Sequence, residues 1–89
     1  MIRTAKLFSA LGDETRLNIV LYLKDGERCA CELPKAVNRA QPTVSQHLKV
    51  LKEAGVLKSR RDGKKIMYSV CCPEVLKVIE FSKKIKPCK

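Results

Sequence analysis

The most regular pattern of apolar and polar positions runs from Gln41 to Gly55, QPTVSQHLKVLKEAG. Val44, Leu48 and Leu51 recur at i, i+4 and i+7, the spacing of one apolar stripe on a helix. Pro42 suits a first helical position, where its missing N–H costs nothing and its fixed φ is already helical. Gly55 is a natural stop just beyond the end. The other face shows Thr43, Gln46, Lys49 and Lys52, with Ser45 and His47 on its flanks and one acid, Glu53, near its end. Hydrogen-bonding groups and positive charge on one face suit the major groove of DNA, whose base edges display donors and acceptors. A solvated surface helix has similar polarity, so the neighbouring elements have to decide.

Ile2 to Leu11 reads as a short helix ended by Gly12. Asp13 is a suitable N-cap for a second helix, from about Glu14 to Lys24. Its apolar residues, Leu17, Ile19, Val20, Leu21 and Leu23, cover more than one stripe, which places it near the centre of a core. Asp25-Gly26 is a turn, and Glu27 to Ala30 is a short strand or an extended entry. A third helix starts at Cys31 or Glu32, with Pro34 in its first turn and Asn38 as its stop. Residues 32 to 55 are then helix, three- or four-residue turn, helix, the arrangement whose second helix enters the groove.

Next comes VLKSRRDGKKIMYSV. Asp62-Gly63 signals a two-residue type I′ hairpin turn, which needs positive φ at both positions. Ile66, Tyr68 and Val70 alternate with Lys65, Met67 and Ser69, as in a half-buried strand. Pro73 opens a last helix, to about Ile85, with nothing after it to cover its apolar face. The fold class expected is mainly α with a small β-hairpin: a winged helix-turn-helix of about five helices and a two-stranded wing. All 89 residues form one domain in this reading. A chain this short buries only about two thirds of its unfolded surface, so a partner subunit on the terminal helices would help.

Charge strengthens the nucleic-acid reading. The chain has 19 basic and 9 acidic residues, net +10. Residues 1–45 carry net +2 and residues 46–89 net +8, so the excess gathers around the candidate reading helix. Lys58, Arg60, Arg61, Lys64 and Lys65 cluster on the hairpin. Edge strands carry lysine to prevent aggregation, but that accounts for one or two charges and not five.

Five cysteines, Cys29, Cys31, Cys71, Cys72 and Cys88, are an odd number. No signal peptide or membrane-length apolar run is read, so a cytoplasmic protein is expected. That context argues against a disulfide framework and for metal or redox chemistry, although some thiols can be packed hydrophobes. No catalytic constellation is visible, since the single His47 has no evident nucleophile partner. Neither an enzyme nor a small-molecule substrate is expected.

LFSALGDETRLNIVLYL, CACEL and QPTVSQHLKVLKEAGVLKSRRDGKKIMYSV occur in this order. Together they closely resemble the ArsR/SmtB family of bacterial and archaeal transcriptional repressors, over roughly residues 5 to 72. The resemblance implies a homodimer on double-stranded operator DNA near its own genes, released when a toxic metal or metalloid, or sometimes a redox signal, binds. It implies a dimer interface on the first and last helices. It assigns DNA contacts to Gln41, Thr43, Ser45, Gln46, His47 and Lys49 of the helix and to Arg60, Arg61, Lys64 and Lys65 of the wing. For His47, packing within the protein is an equal alternative.

Cys29-Ala30-Cys31-Glu32-Leu33 is similar to the family's thiol-rich sensor motif. Soft thiolates select thiophilic ions such as arsenite, antimonite, Cd(II), Pb(II) or Zn(II), here as an effector and not for folding. Residues i and i+2 point to different sides of a regular helix, so a shared ion requires Cys29 outside the helix or a distorted first turn. Pro34 stands where arsenic sensors of the family carry a third cysteine, which leaves Cys71, Cys72 or Cys88 as the third ligand, from either subunit. At the family's other metal site, on the last helix, Cys72 and Cys88 fall where it has acidic ligands and Glu74 where it has a histidine. Ile85 replaces its other histidine, and Pro87 breaks the helix before Cys88. A thiol redox-sensing repressor is the alternative. An RNA-binding or assembly module is disfavoured, because none of Phe8, Tyr22, Tyr68 and Phe81 lies on the reading helix or wing tip to stack bases.

Overall fold

A computed structural model describes residues 3–88. Helix α1 (Thr4–Leu11) leads through Gly12 into α2 (Glu14–Tyr22). Asp13 caps α2, its carboxylate accepting the Arg16 N–H at 3.0 Å. Strand β1 (Arg28–Cys29) and a 3-10 turn (Ala30–Glu32) precede α3 (Leu33–Val37). Asn38 ends α3 at φ 55°, a left-handed position that its short polar side chain tolerates. Helix α4 (Gln41–Glu53), strands β2 (Leu57–Asp62) and β3 (Lys65–Val70), and helix α5 (Pro73–Ser82) complete the chain. Helices α3 and α4 form the helix-turn-helix, and β2–β3 is the wing.

The ends differ slightly from the sequence reading. Ile2 lies outside the described residues. Ala40 caps α4, so Pro42 occupies the second helical position, and Gly55 at φ 79° follows the Ala54 C-cap. The last helix stops at Ser82, three residues short of Ile85.

Two corrections concern the sheet. It has three strands in the order β1-β3-β2, because Arg28 pairs with Tyr68 and Cys29 with Met67. The hairpin register is Asp62 opposite Lys65, so the turn residues are Gly63 and Lys64. Gly63 has φ 62°, and Lys64 is not among the positive-φ residues. Glycine alone at the first central position is the type II′ pattern, not the expected I′.

The core gathers below the helix-turn-helix. Ile19, Val20 and Leu23 of the second helical segment meet Leu33, Val44, Leu48, Leu51, Val56, Leu57, Val75 and Ile79. The expected central place of α2 is met: Ile19 and Val20 have no exposed surface. Leu51, also fully buried, fixes α4 to this core. Leucine-to-alanine changes at such sites cost about 2–5 kcal/mol.

Candidate nucleic-acid interface and thiol site

The buried stripe of α4 turns its polar face outward. Gln41, Thr43, Ser45, Gln46 and Lys49 are all exposed. Lys52 is held back, its Nζ donating to Ser59 Oγ of β2 at 2.7 Å, which braces the helix against the wing. His47 differs from the rest of its helix. It is half-buried, its Nδ1 lies 3.3 Å from Arg16 Nη1, and its Nε2 lies 3.9 Å from the Asp13 carboxylate. The geometry therefore gives His47 an inward, joining position.

Arg16 is the hub of that corner, and the sequence reading passed it over. Its Nε donates to the Ala10 carbonyl at 2.7 Å and its Nη2 to that of Ser9 at 3.3 Å. The Arg16 guanidinium thus closes the end of α1 and touches α4, while its backbone N–H meets the cap that opens α2. Asp13 is held below the usual aspartate pKa, chiefly by the Arg16 backbone N–H and also by the charge of Arg16.

On the wing, Arg61, Lys64 and Lys65 are exposed. Arg60 is already engaged. Its Nε and Nη2 donate to both carboxylate oxygens of Glu27 at 2.7 and 2.6 Å. This bidentate bond lowers the Glu27 pKa and raises that of Arg60. Four of the five hairpin cations are thus outside that pair.

The thiol motif is built by a capping box. Cys29 has extended backbone, φ −68° and ψ 139°, and caps the 3-10 turn. Its Sγ accepts the Cys31 N–H at 3.2 Å, while Glu32 Oε2 accepts the Cys29 N–H at 3.3 Å. Glu32 Oε1 also accepts the Tyr22 hydroxyl at 3.1 Å, and Arg28 stacks over the Tyr22 ring. Cys29 therefore lies outside the helix and the first turn is distorted, which meets both conditions for two sulfurs to converge. They do converge: Cys29 and Cys31 are joined as a disulfide with Cα atoms 5.1 Å apart. This is one local bond and no framework, and its sulfurs differ in access, Cys29 being 5% exposed and Cys31 open to solvent.

The other thiols stand apart. Cys29 is paired with Met67, and Cys71 lies four residues further along, about 13 Å at 3.3 Å per residue. Cys71 and Cys88 are exposed, and Cys72 packs half-buried against the core. Among the described residues no three cysteine, histidine or acidic side chains cluster as a metal site.

Residues 13–59 match the family described as "Bacterial regulatory protein, arsR family". The chain belongs to the arsR family. An arsenical resistance operon repressor of Escherichia coli K12 is 48% identical over 64 residues, covering 71% of this chain and 55% of that protein. A cadmium resistance transcriptional regulatory protein CadC homolog of Staphylococcus aureus is 38% identical over 77 residues, covering 85% of this chain and 64% of that one. This arsR-family chain thus spans between half and two thirds of these relatives' lengths. Among solved structures, the homodimeric winged helix-turn-helix DNA-binding domain Mb0332 of Mycobacterium bovis superposes with a TM-score of 0.81 at 28% identity. That match covers 89% of this chain and 73% of the other.

One further surface of the arsR-family chain lies away from the reading helix. Phe8, Phe81 and Ile85 are 55%, 64% and 76% exposed. With Glu74, Lys77, Val78 and Ser82 they line an open groove of about 530 Å³ between α1 and α5. Exposed apolar clusters of this kind mark association surfaces. No helix among the described residues is long and apolar enough to cross a membrane.

Proposed function

We propose that this chain is a transcriptional repressor that binds operator DNA as a homodimer and leaves it when a thiophilic ion binds Cys29 and Cys31. The observation that carries the DNA part is the outward polar face of α4 beside the exposed wing cations Arg61, Lys64 and Lys65. Gln41, Thr43, Ser45, Gln46 and Lys49 read or position, and the wing holds phosphates. His47 supports these contacts from a half-buried place beside Arg16, and Arg60 from the wing surface through Glu27. The α1–α5 groove serves the dimer, which sets two reading helices about one helical turn, roughly 34 Å, apart on an imperfect palindrome.

Two convergent sulfurs are a donor set suited to arsenite, antimonite, Cd(II), Pb(II) or Zn(II). They bind an ion only after reduction of the disulfide by two electrons and two protons. A third thiolate comes from Cys71, Cys72 or Cys88, of this chain or of the partner subunit. The arsenical resistance operon repressor and the cadmium resistance transcriptional regulatory protein among the relatives support a soft-ion effector. The closeness of the two sulfurs favours a second reading, in which oxidation of the same pair is the signal.

The test is a gel shift on DNA upstream of the chain's own gene, with and without arsenite, Cd(II) and Zn(II), under reducing conditions. Retarded DNA freed by one of these ions is the expected outcome. Retention unchanged by every ion, but abolished by a thiol oxidant, selects the redox reading. Gln46→Ala should cost about 1–3 kcal/mol and relax sequence preference, as loss of a base-edge contact does.

A further inference from the structure

We propose that Arg16 is a positioning residue for sequence discrimination: by gripping His47 it stops the reading helix α4 from rolling about its own axis. The role rests on the DNA-binding reading above and adds a residue that acts from behind the helix.

A helix held only by one apolar stripe can roll. The buried stripe of α4 is Val44, Leu48 and Leu51, and burial of aliphatic side chains is non-directional. Counting about 100° per residue, His47 and Lys52 project roughly 70° to either side of that stripe, and Gln46 nearly opposite it. Each flank is tied to a different element. Lys52 Nζ donates to Ser59 Oγ of β2 at 2.7 Å. His47 Nδ1 lies 3.3 Å from Arg16 Nη1 and its Nε2 3.9 Å from the Asp13 carboxylate, both at the start of α2.

The two ties are unequal. Lys52 is exposed, and its long flexible stem restrains the helix little. His47 and Arg16 are half-buried. Arg16 is itself fixed elsewhere, by its backbone N–H on Asp13 at 3.0 Å, its Nε on the Ala10 carbonyl at 2.7 Å and its Nη2 on the Ser9 carbonyl at 3.3 Å. The guanidinium therefore stands as a fixed stop between the last turn of α1 and the flank of α4.

A small roll matters to base edges and hardly to phosphates. At a helix radius of about 6 Å with side chains, a roll of about 10° moves the Gln46 side chain by about 1 Å. N–H···O bonds span only about 2.7 to 3.2 Å, so a base-edge contact does not survive that shift. Lys64 and Lys65 of the wing are exposed, and their flexible stems absorb it. Loss of the stop should lower discrimination and spare sequence-independent binding.

The experiment uses the full chain, reduced, and fluorescence anisotropy with two duplexes: one from upstream of its own gene and one of the same bases shuffled. The discrimination ratio is the shuffled dissociation constant divided by the upstream one, so any loss of active protein divides out. Arg16→Lys keeps the charge and a donor for α1 but lacks the fork that reaches two partners at once. It should lower the ratio about 5- to 150-fold, as one lost base contact does, with shuffled binding and its salt slope unchanged. His47→Ala should lower the ratio alike and add little in the Arg16→Lys background. If circular dichroism shows that Arg16→Lys does not fold, Arg16→Gln takes its place. An undiminished ratio in the Arg16 variant overturns the proposal. So do additive effects of the two changes, which would put His47 on DNA by itself. A parent chain with no preference for upstream DNA overturns the DNA reading, and this proposal with it, before any variant is compared.

Discussion

Four of the five cysteines fall into two regions that the fold treats in opposite ways. Cys29 and Cys31 are brought together by local chemistry: an extended N-cap, a 3-10 turn, a capping glutamate and a strand pairing. Cys71 and Cys72 are neighbours in sequence, yet Cys71 points to solvent and Cys72 caps α5 against the core. Adjacency along the chain does not bring sulfurs together; a turn with the right hydrogen bonds does. The first region is a pair whose geometry is held by Glu32, and the second is two unrelated thiols.

The most severe way to break this contrast is to remove the pair. Cys29→Ser with Cys31→Ser should abolish ion-induced release from DNA in the gel shift. Single Cys71→Ser, Cys72→Ser and Cys88→Ser changes should weaken ion affinity in at most one case, the third ligand. Normal release by the double variant, with release lost in Cys72→Ser or Cys88→Ser, would move the sensor to α5.

Next in size is the device that shapes the pair. Glu32→Ala removes the acceptor of both the Cys29 N–H and the Tyr22 hydroxyl. A cost of about 1–3 kcal/mol in urea unfolding is expected, together with weaker Cd(II) binding by reduced protein. Tyr22→Phe, which spares the cap, should cost about 0.5–1.5 kcal/mol and leave Cd(II) binding nearly intact. Equal losses of Cd(II) affinity in the two variants would mean that the cap does not shape the pair.

Asp13 supplies a control, a cap of ordinary chemistry away from any thiol. Asp13→Ala should cost about 1 kcal/mol without changing Cd(II) binding. Its carboxyl is held below the usual aspartate pKa, so the unfolded chain binds the proton more readily. The contribution of Asp13 is therefore complete above the ordinary aspartate value and is lost as pH falls through the lowered one. The variant should accordingly show less loss of stability between neutral and acidic pH than the parent.

The smallest expected effect separates two adjacent arginines. Arg61→Ala should reduce the slope of log affinity against log salt by about 0.9, one phosphate contact. Arg60→Ala should change it less, because Glu27 already holds that guanidinium. Equal changes would show that the pair opens when DNA binds.

Much of this was legible because it rests on local rules. The stripe of Val44, Leu48 and Leu51, the Asp13 cap and the Asn38 stop are decided within a few residues, and each appears as read. The reading of α2 as central held because its apolar residues surround the helix. What escaped depended on partners distant in sequence. The sequence reads as a short strand or extended entry at Glu27 to Ala30, but it does not show that Arg28 and Cys29 pair with Tyr68 and Met67. Glu27 finds Arg60, and Arg16 finds His47, across 33 and 31 positions. The turn type failed for a different reason: Asp-Gly favours I′, but the cross-strand register shifted the loop by one residue to Gly63-Lys64. Of the proposed DNA face, the sequence marked which residues point outward on α4, and it could not show that His47 leans back into the protein.

The short strand β1 also has a consequence for the order of assembly. The wing closes over a two-residue turn, whereas Arg28 must wait for Tyr68, forty positions later in the chain. Joining distant segments carries a larger loop-closure entropy, and such contacts form late. As the chain leaves the ribosome, Cys29 and Cys31 are synthesised well before the strand that orders them. The newborn polypeptide therefore passes through a stage in which both sulfurs are open to the surrounding medium.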